Sequence, residues 1–235
     1  MSVTRHAMIV KSSSNREKKL NLKLLGPFSA AFDGEPSLRF ATSKVQALLC
    51  ILAMERARPL ARERLMTMLW PDMPLPSAQQ NVRQTLYLLR RSLERGSTIL
   101  PVIASDRLTL QFDSRFPVWL DVEQFLDLTE GGCSPAEWRA GLDLYQGDFL
   151  EEFYLVDSDV FEEWSAGKRA WLHERAVTTL DWLVEYSLAE GDPPAAIWAA
   201  HRYLTLDPLN ESAHRRLMIA LMQSGERATA LAHYE

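Results

Sequence analysis

The chain has 235 residues, 47% hydrophobic and 24% charged, an ordinary globular composition with room for one large or two modest cores. Its net charge of −5 hides a division: residues 1–112 carry 17 Lys and Arg against 8 Asp and Glu, and residues 113–235 carry 9 against 23. The longest apolar run, Ala47 to Met54, is far short of a membrane span, and the first residues contain no apolar signal core. Two distant cysteines, Cys50 and Cys133, give neither a disulfide framework nor a metal-ligand spacing, so a reducing cytoplasm is the expected location. A basic half joined to an acidic half points to a polyanionic partner for the first.

In chain order, residues 1–19 read as a disordered, weakly basic arm. Leu20 to Phe40 predicts a small antiparallel sheet. Its first strand runs into the Gly26-Pro27 break, a second spans Ser29–Phe32, Asp33-Gly34 turns the chain, and a third spans Ser37–Phe40. A helix capped by Thr42 or Ser43 follows, with Val45, Leu48, Leu49 and Leu52 as its buried stripe. Lys44 lies in its first turn, where a cation opposes the helix dipole unless a phosphate docks there. Pro59 breaks the chain, a short helix spans Arg62–Trp70, and a linker over residues 72–76 leads to the next element.

Ser77 to Arg95 predicts a helix with two unlike faces. Val82, Leu86, Leu89 and Leu93 share one side at helical spacing and belong to a core. The opposite side collects Gln80, Gln84, Tyr87, Leu88 and Arg91, flanked by Arg83 and Arg90, with no carboxylate before Glu94. Amides pair bidentately with adenine, and Arg with guanine or phosphate. Such a face suits a DNA major groove, although a basic helix face taken alone is more often plain solvated surface. After Gly96, residues 99–104 and 107–112 predict a hairpin turning at Ser105-Asp106, with Arg107 near its tip. Three helices and a hairpin make a winged helix-turn-helix. The third helix reads the groove, and the hairpin tip reaches an adjacent backbone or minor groove.

Three stretches, LLGPFSAAFDGEP, SKVQALLCILAMERARPLARERLMTMLWPD and AQQNVRQTLYLLRRSL, resemble the winged-helix domain of OmpR/PhoB-type response regulators over residues 20–112. The resemblance is closer to the SARP-type bacterial transcriptional activators, which join that domain to a bacterial transcriptional activator domain. It implies base contacts at Arg83 and Gln84 and phosphate contacts at Thr85, Tyr87 and Arg90. Leu88 stands where many relatives have Arg, implying that this base contact is lost or becomes an apolar one, as with a thymine methyl. The hairpin reads Ser-Asp-Arg-Leu in place of the family's Gly-Tyr-Arg-type ending.

The second half is helical in pattern: Val118–Glu130, Pro135–Tyr145, then Leu144-Tyr145-x-Gly147-Asp148-Phe149-Leu150 as a bridge, and a long helix from Ser158 to Ala189. Gly191 and Gly225 lie 34 residues apart, the tetratricopeptide period, and at that shift Leu183 matches Leu217 and Ala196 matches Ala230. Tryptophans 138, 164, 171, 182 and 198 fit a core better than a ligand cage. No phosphate loop, nucleophile elbow or two-His zinc face occurs.

The fold expected is mainly α: a winged helix over residues 20–113 with a leading sheet, then a tetratricopeptide-like activator domain over residues 116–235, incomplete at its C-terminus by comparison with the family. The function expected is sequence-specific binding of double-stranded DNA by a transcription activator, with no enzymatic activity, cofactor or membrane association. Gln80, Arg83, Gln84 and Leu88 would meet bases; Lys44, Thr85, Tyr87, Arg90 and Arg91 would meet phosphates; Arg107 would act from the wing. By resemblance, two protomers act on tandem direct repeats near promoters, and the helical domain serves self-association or RNA polymerase contact. The rival reading is an interaction scaffold whose winged helix docks protein. The sequence does not decide whether the acidic half folds back onto the basic one, a contact that the opposite charges would favour.

Overall fold

The computed structural model describes residues 18–94 and 101–234. Strands β1 (Leu20–Lys23) and β2 (Ser29–Phe32) pair antiparallel with Leu20 opposite Phe32, so alternation turns Leu20, Leu22, Ala30 and Phe32 inward. Thr42 caps α1 (Ser43–Met54), its hydroxyl accepting from the amide of Val45. This helix is buried along most of its length, including Cys50. Strand β3 (Leu60–Ala61) leads directly into α2 (Arg62–Leu69). The central helix α3 (Leu75–Leu93) begins earlier than its sequence pattern predicts, because Pro76 is tolerated in a first helical turn. Strands β4 (Ile103–Ser105) and β5 (Thr109–Phe112) form the wing, and β3 adds to it in the order β3-β5-β4. Residues 1–17 of the expected arm and residues 95–100, which hold the predicted end of α3 and the start of the hairpin, lie outside the described residues.

The expected third strand at Ser37–Phe40 is absent, since those residues form no ladder. Its place is taken by β6 (Val118–Leu120), which pairs parallel with β1, Leu20 opposite Val118 and Leu22 opposite Leu120. The sequence pattern places those three residues in a helix. Val-Trp-Leu is a strand-prone run, and the helix α4 (Asp121–Leu128) starts only after it. The whole winged helix is therefore the crossover connection between two neighbouring parallel strands. The boundary drawn at residues 113–116 falls just before a strand of the first half's own sheet.

Beyond α4 come α5 (Pro135–Leu144), α6 (Asp159–Glu190), α7 (Pro193–Leu206), α8 (Glu211–Gln223) and α9 (Arg227–Tyr234). Ser134 and Glu137 form a reciprocal capping box on α5. Gly191 and Gly225 both have left-handed backbones, φ 70° and 86°, where each ends a helix and turns the chain. Leu183, Leu217, Ala196 and Ala230 are all buried, as the 34-residue shift requires. The tryptophans fit the core expectation only in part. Trp138, Trp164 and Trp198 are half-buried against the core and Trp182 stacks on Trp138, whereas Trp171 is exposed.

A continuous core runs through both halves. The bridge at residues 144–150 docks on the first half: Leu25 pairs with Phe149, and the Leu150 amide donates to the Leu24 carbonyl at 2.8 Å. Gly147 lets the backbones approach closely there, since a Cβ would lie 3.2 Å from the Gly26 Cα and would displace the Glu151 side chain. Asp121, buried, accepts from the amides of Leu24, Leu25 and Val122 at 2.8–2.9 Å. Ion pairs Arg56–Glu123 and Lys44–Asp157 close the seam, and the Ser158 hydroxyl donates to the Met68 carbonyl.

Candidate nucleic-acid interface

Helix α3 is held by Ala78, Val82, Leu86, Leu89 and Leu93, which pack mainly on α1 and α2. That leaves Gln80, Arg83, Gln84, Tyr87, Arg90 and Arg91 exposed, Tyr87 at 60%. The helix contains no Asp or Glu. Six of the sequence-assigned contacts thus share one open surface of amide, phenol and guanidinium groups.

Three assignments do not survive intact. Thr85 is 6% exposed, because α3 buries a wider arc than its leucine stripe implies, so it offers no hydroxyl to a phosphate. Lys44 donates to the Leu69 carbonyl and pairs with Asp157 at 2.9 Å, with its ammonium 5.7 Å from the Trp70 ring centre. Its charge is used at the seam between the halves, which takes it off the phosphate list. Leu88 lies on the outer side of α3 but is half-buried, shielded by the segment from Pro36 to Ala41, with which it lines a groove of about 1090 Å³. It packs against that segment and still lines the groove.

The wing is fixed to this surface by two arginines. Arg90 donates to the Ile103 carbonyl at 3.0 Å and the Ser105 hydroxyl at 2.6 Å. Arg62, the first residue of α2, donates its Nε to the Asp106 carbonyl at 3.1 Å, and its amide donates to Leu108 O at 2.8 Å. Burial holds the Arg62 guanidinium below its usual pKa, and the neighbouring Arg83 and Arg90 lower it further against the pull of Asp106. The hairpin tip falls at residues 106–108, later than its sequence placed it. The Asp106 carboxylate accepts from the amides of Leu108 and Thr109 and from the Thr109 hydroxyl. Those bonds hold its pKa below the usual carboxylate range and make a rigid turn from which Arg107 and Leu108 project, Leu108 being 76% exposed. Arg62, Arg83 and Arg107 line a groove of about 710 Å³ between α2, α3 and the wing. Arg62 carries no sequence signal of its own; β3 brings α2's first turn against the hairpin and so places it in this groove.

The acidic half does not cover this face. Its contacts with the first half run through β1, α1 and α2. Among the described residues these contacts lie away from the outer face of α3. Among the described residues no helix is long and apolar enough to cross a membrane, and no group of three or more metal-binding side chains occurs.

Residues 122–235 match the family model described as the bacterial transcriptional activator domain. That match covers the helical half of the chain. The Mycobacterium tuberculosis transcriptional regulatory protein EmbR is 35% identical over 81 residues, 34% of this chain and 21% of that protein. The Streptomyces coelicolor regulatory protein AfsR is 27% identical over 225 residues, 92% of this chain and 21% of that protein. The chain thus spans about a fifth of the length of the curated relatives it matches. The solved structure of M. tuberculosis EmbR in complex with a low-affinity phosphopeptide shares the fold, with a TM-score of 0.71 at 24% identity over 93% of this chain and 58% of that one. By description EmbR is a transcriptional regulatory protein and AfsR a regulatory protein. The family match begins at Val122, one residue after the Asp121 that locks the activator domain to β1.

Proposed function

We propose that this chain is a sequence-specific DNA-binding transcriptional activator of the SARP type. The observation that carries the reading is the open, carboxylate-free outer face of α3, flanked by a wing anchored through Arg62 and Arg90. Arg83, Gln84 and Gln80 read base edges in the major groove, each good bidentate pair contributing about 1–3 kcal/mol of discrimination. Tyr87, Arg91, Arg62 and the wing's Arg107 meet phosphates, which supply most of the affinity and make it salt-dependent. Arg90 both ties the wing and offers its remaining N–H groups to the backbone. The helical domain mediates self-association on tandem direct repeats near promoters, or contact with RNA polymerase.

The test is selection of bound duplexes from a random pool, followed by salt titration of the winner. An enriched site with affinity falling steeply as salt rises supports the reading. Arg83→Ala should then flatten preference among sequences while leaving non-specific binding in place. Absence of enrichment with a flat salt response would reject DNA as the partner.

A further inference from the structure

The tip of the wing presents one apolar side chain beside the recognition helix. Leu108 is 76% exposed, the most exposed large apolar residue among the described residues 18–112. It lines the groove between α2, α3 and the wing together with Arg62, Arg83 and Arg107. A lone exposed leucine is ordinary on a protein surface. This one differs in how it is held. Its amide donates to the Asp106 carboxylate at 2.7 Å, and its carbonyl accepts from the backbone amide of Arg62 at 2.8 Å. Neither bond uses the Arg62 side chain. The Thr109 amide and hydroxyl donate to the same carboxylate, and the Asp106 amide donates to the Thr109 carbonyl at 3.1 Å. Residues 103–112 contain no glycine, so the turn has none of that residue's freedom. Both polar backbone groups at position 108 are engaged within the protein. What the residue offers outward is an isobutyl group, with nothing to bond a phosphate.

The chemistry of the minor groove says what such a group selects. A hairpin beside a helix in the major groove reaches the adjacent backbone or minor groove. There A·T and T·A edges carry acceptors only, and a G·C pair adds the guanine N2 amino group, a donor. An aliphatic side chain can lie against an A·T edge without burying a donor. Against a G·C edge it would bury the amino group without a partner, which is unfavourable. The acceptors near the tip are already engaged, the Asp106 carboxylate by Leu108 and Thr109 and the Ser105 hydroxyl by Arg90. We infer that Leu108 selects A·T pairs in the minor groove flanking the α3 site, by excluding the guanine N2 amino group, while Arg107 beside it meets the backbone. The inference rests on the DNA-binding reading and extends it to bases that α3 does not touch.

The experiment takes the full chain and the selected duplex. Each flanking pair within one helical turn of the core is set in turn to A·T, G·C and inosine·C. Inosine·C keeps the major-groove edge of G·C and lacks the N2 amino group. At one or two adjacent flanking positions G·C should bind about tenfold more weakly than A·T, and inosine·C should bind within about twofold of A·T. Leu108→Ala, a truncation in solvent, should cut the tenfold ratio to about twofold. A flank at which G·C binds as well as A·T overturns the inference. So does a loss that inosine·C leaves in place, or one that Leu108→Ala leaves unchanged. An indifferent flank around a core whose preference Arg83→Ala flattens removes only the role of Leu108, whereas a chain that enriches no site loses this role and the DNA-binding reading together.

Discussion

The Lys44 ammonium lies 2.9 Å from a carboxylate oxygen of Asp157, joining the first turn of α1 to the loop ahead of α6. The same ammonium donates to the Leu69 carbonyl at the end of α2. One cation thus ties together both helices that support α3 and the half that follows them. Lys44→Ala should lower stability by about 1–2 kcal/mol, since it leaves the Leu69 carbonyl without that donor and exposes little else. The measured Tm should fall by a few degrees in a chain of this size. The slope of log affinity for DNA against log salt should not change, whereas Arg91→Ala should reduce it by about 0.9. A reduced slope for Lys44→Ala would return that residue to the interface.

The parallel pairing of β6 with β1 predicts that the winged helix does not stand alone. A fragment of residues 18–115 lacks β6, the Asp121 carboxylate under the amides of Leu24 and Leu25, and the cover over α1 and α2. It should show no cooperative thermal transition, with near-ultraviolet circular dichroism lost. A sharp melt close to that of the full chain would mean that the sheet closes without β6.

Asp121 predicts a pH dependence with a definite sign. Burial raises its pKa to about 6, against the opposing effect of the amides of Leu25, Leu24 and Val122. An unfolded Asp titrates near ~3.9, so between about pH 4 and 6 the folded state holds the extra proton. Stability from this group therefore falls as pH rises through that window and is level above it, the whole effect amounting to up to about 3 kcal/mol. Urea melts of the wild type and Asp121→Asn across pH 4–8 check this. The difference between the two should change through that window and nowhere above it.

The two thiols should separate cleanly. Cys50 is fully buried in α1, and burial pushes its thiol pKa up, so it is unreactive in the folded chain. Cys133 is half-buried at the turn before α5, its sulfur 3.3 Å from the Asp127 carbonyl. An aromatic disulfide reagent should label Cys133 in the native protein and reach Cys50 only on unfolding. Rapid labelling of both would mean that α1 opens from the core.

Arg62→Ala should weaken binding to all DNA sequences alike, because it removes a phosphate-facing cation and the wing's anchor on Asp106 without touching a base-reading residue. A change in the preferred sequence would instead place Arg62 among the base contacts.

Much of the architecture was legible along the chain. Local patterns determined the helices, the position of the wing and the 34-residue repeat, because periodicity and turn glycines act over a few residues. They also determined the guanidinium and amide face of α3, since the angle of each side chain about a helix follows from its position. Tertiary structure alone decided what covers those faces. Thr85 sits at an angle that could be exposed, yet the packing of α3 on α1 and α2 buries it. Lys44 reads as a free first-turn cation until Asp157, 113 residues away in sequence, is brought beside it. Val118–Leu120 is a strand because β1, nearly a hundred residues earlier, leaves an edge unpaired. Which residues share a side is a local property of the backbone, but which side meets protein and which meets solvent is set by contacts between distant segments.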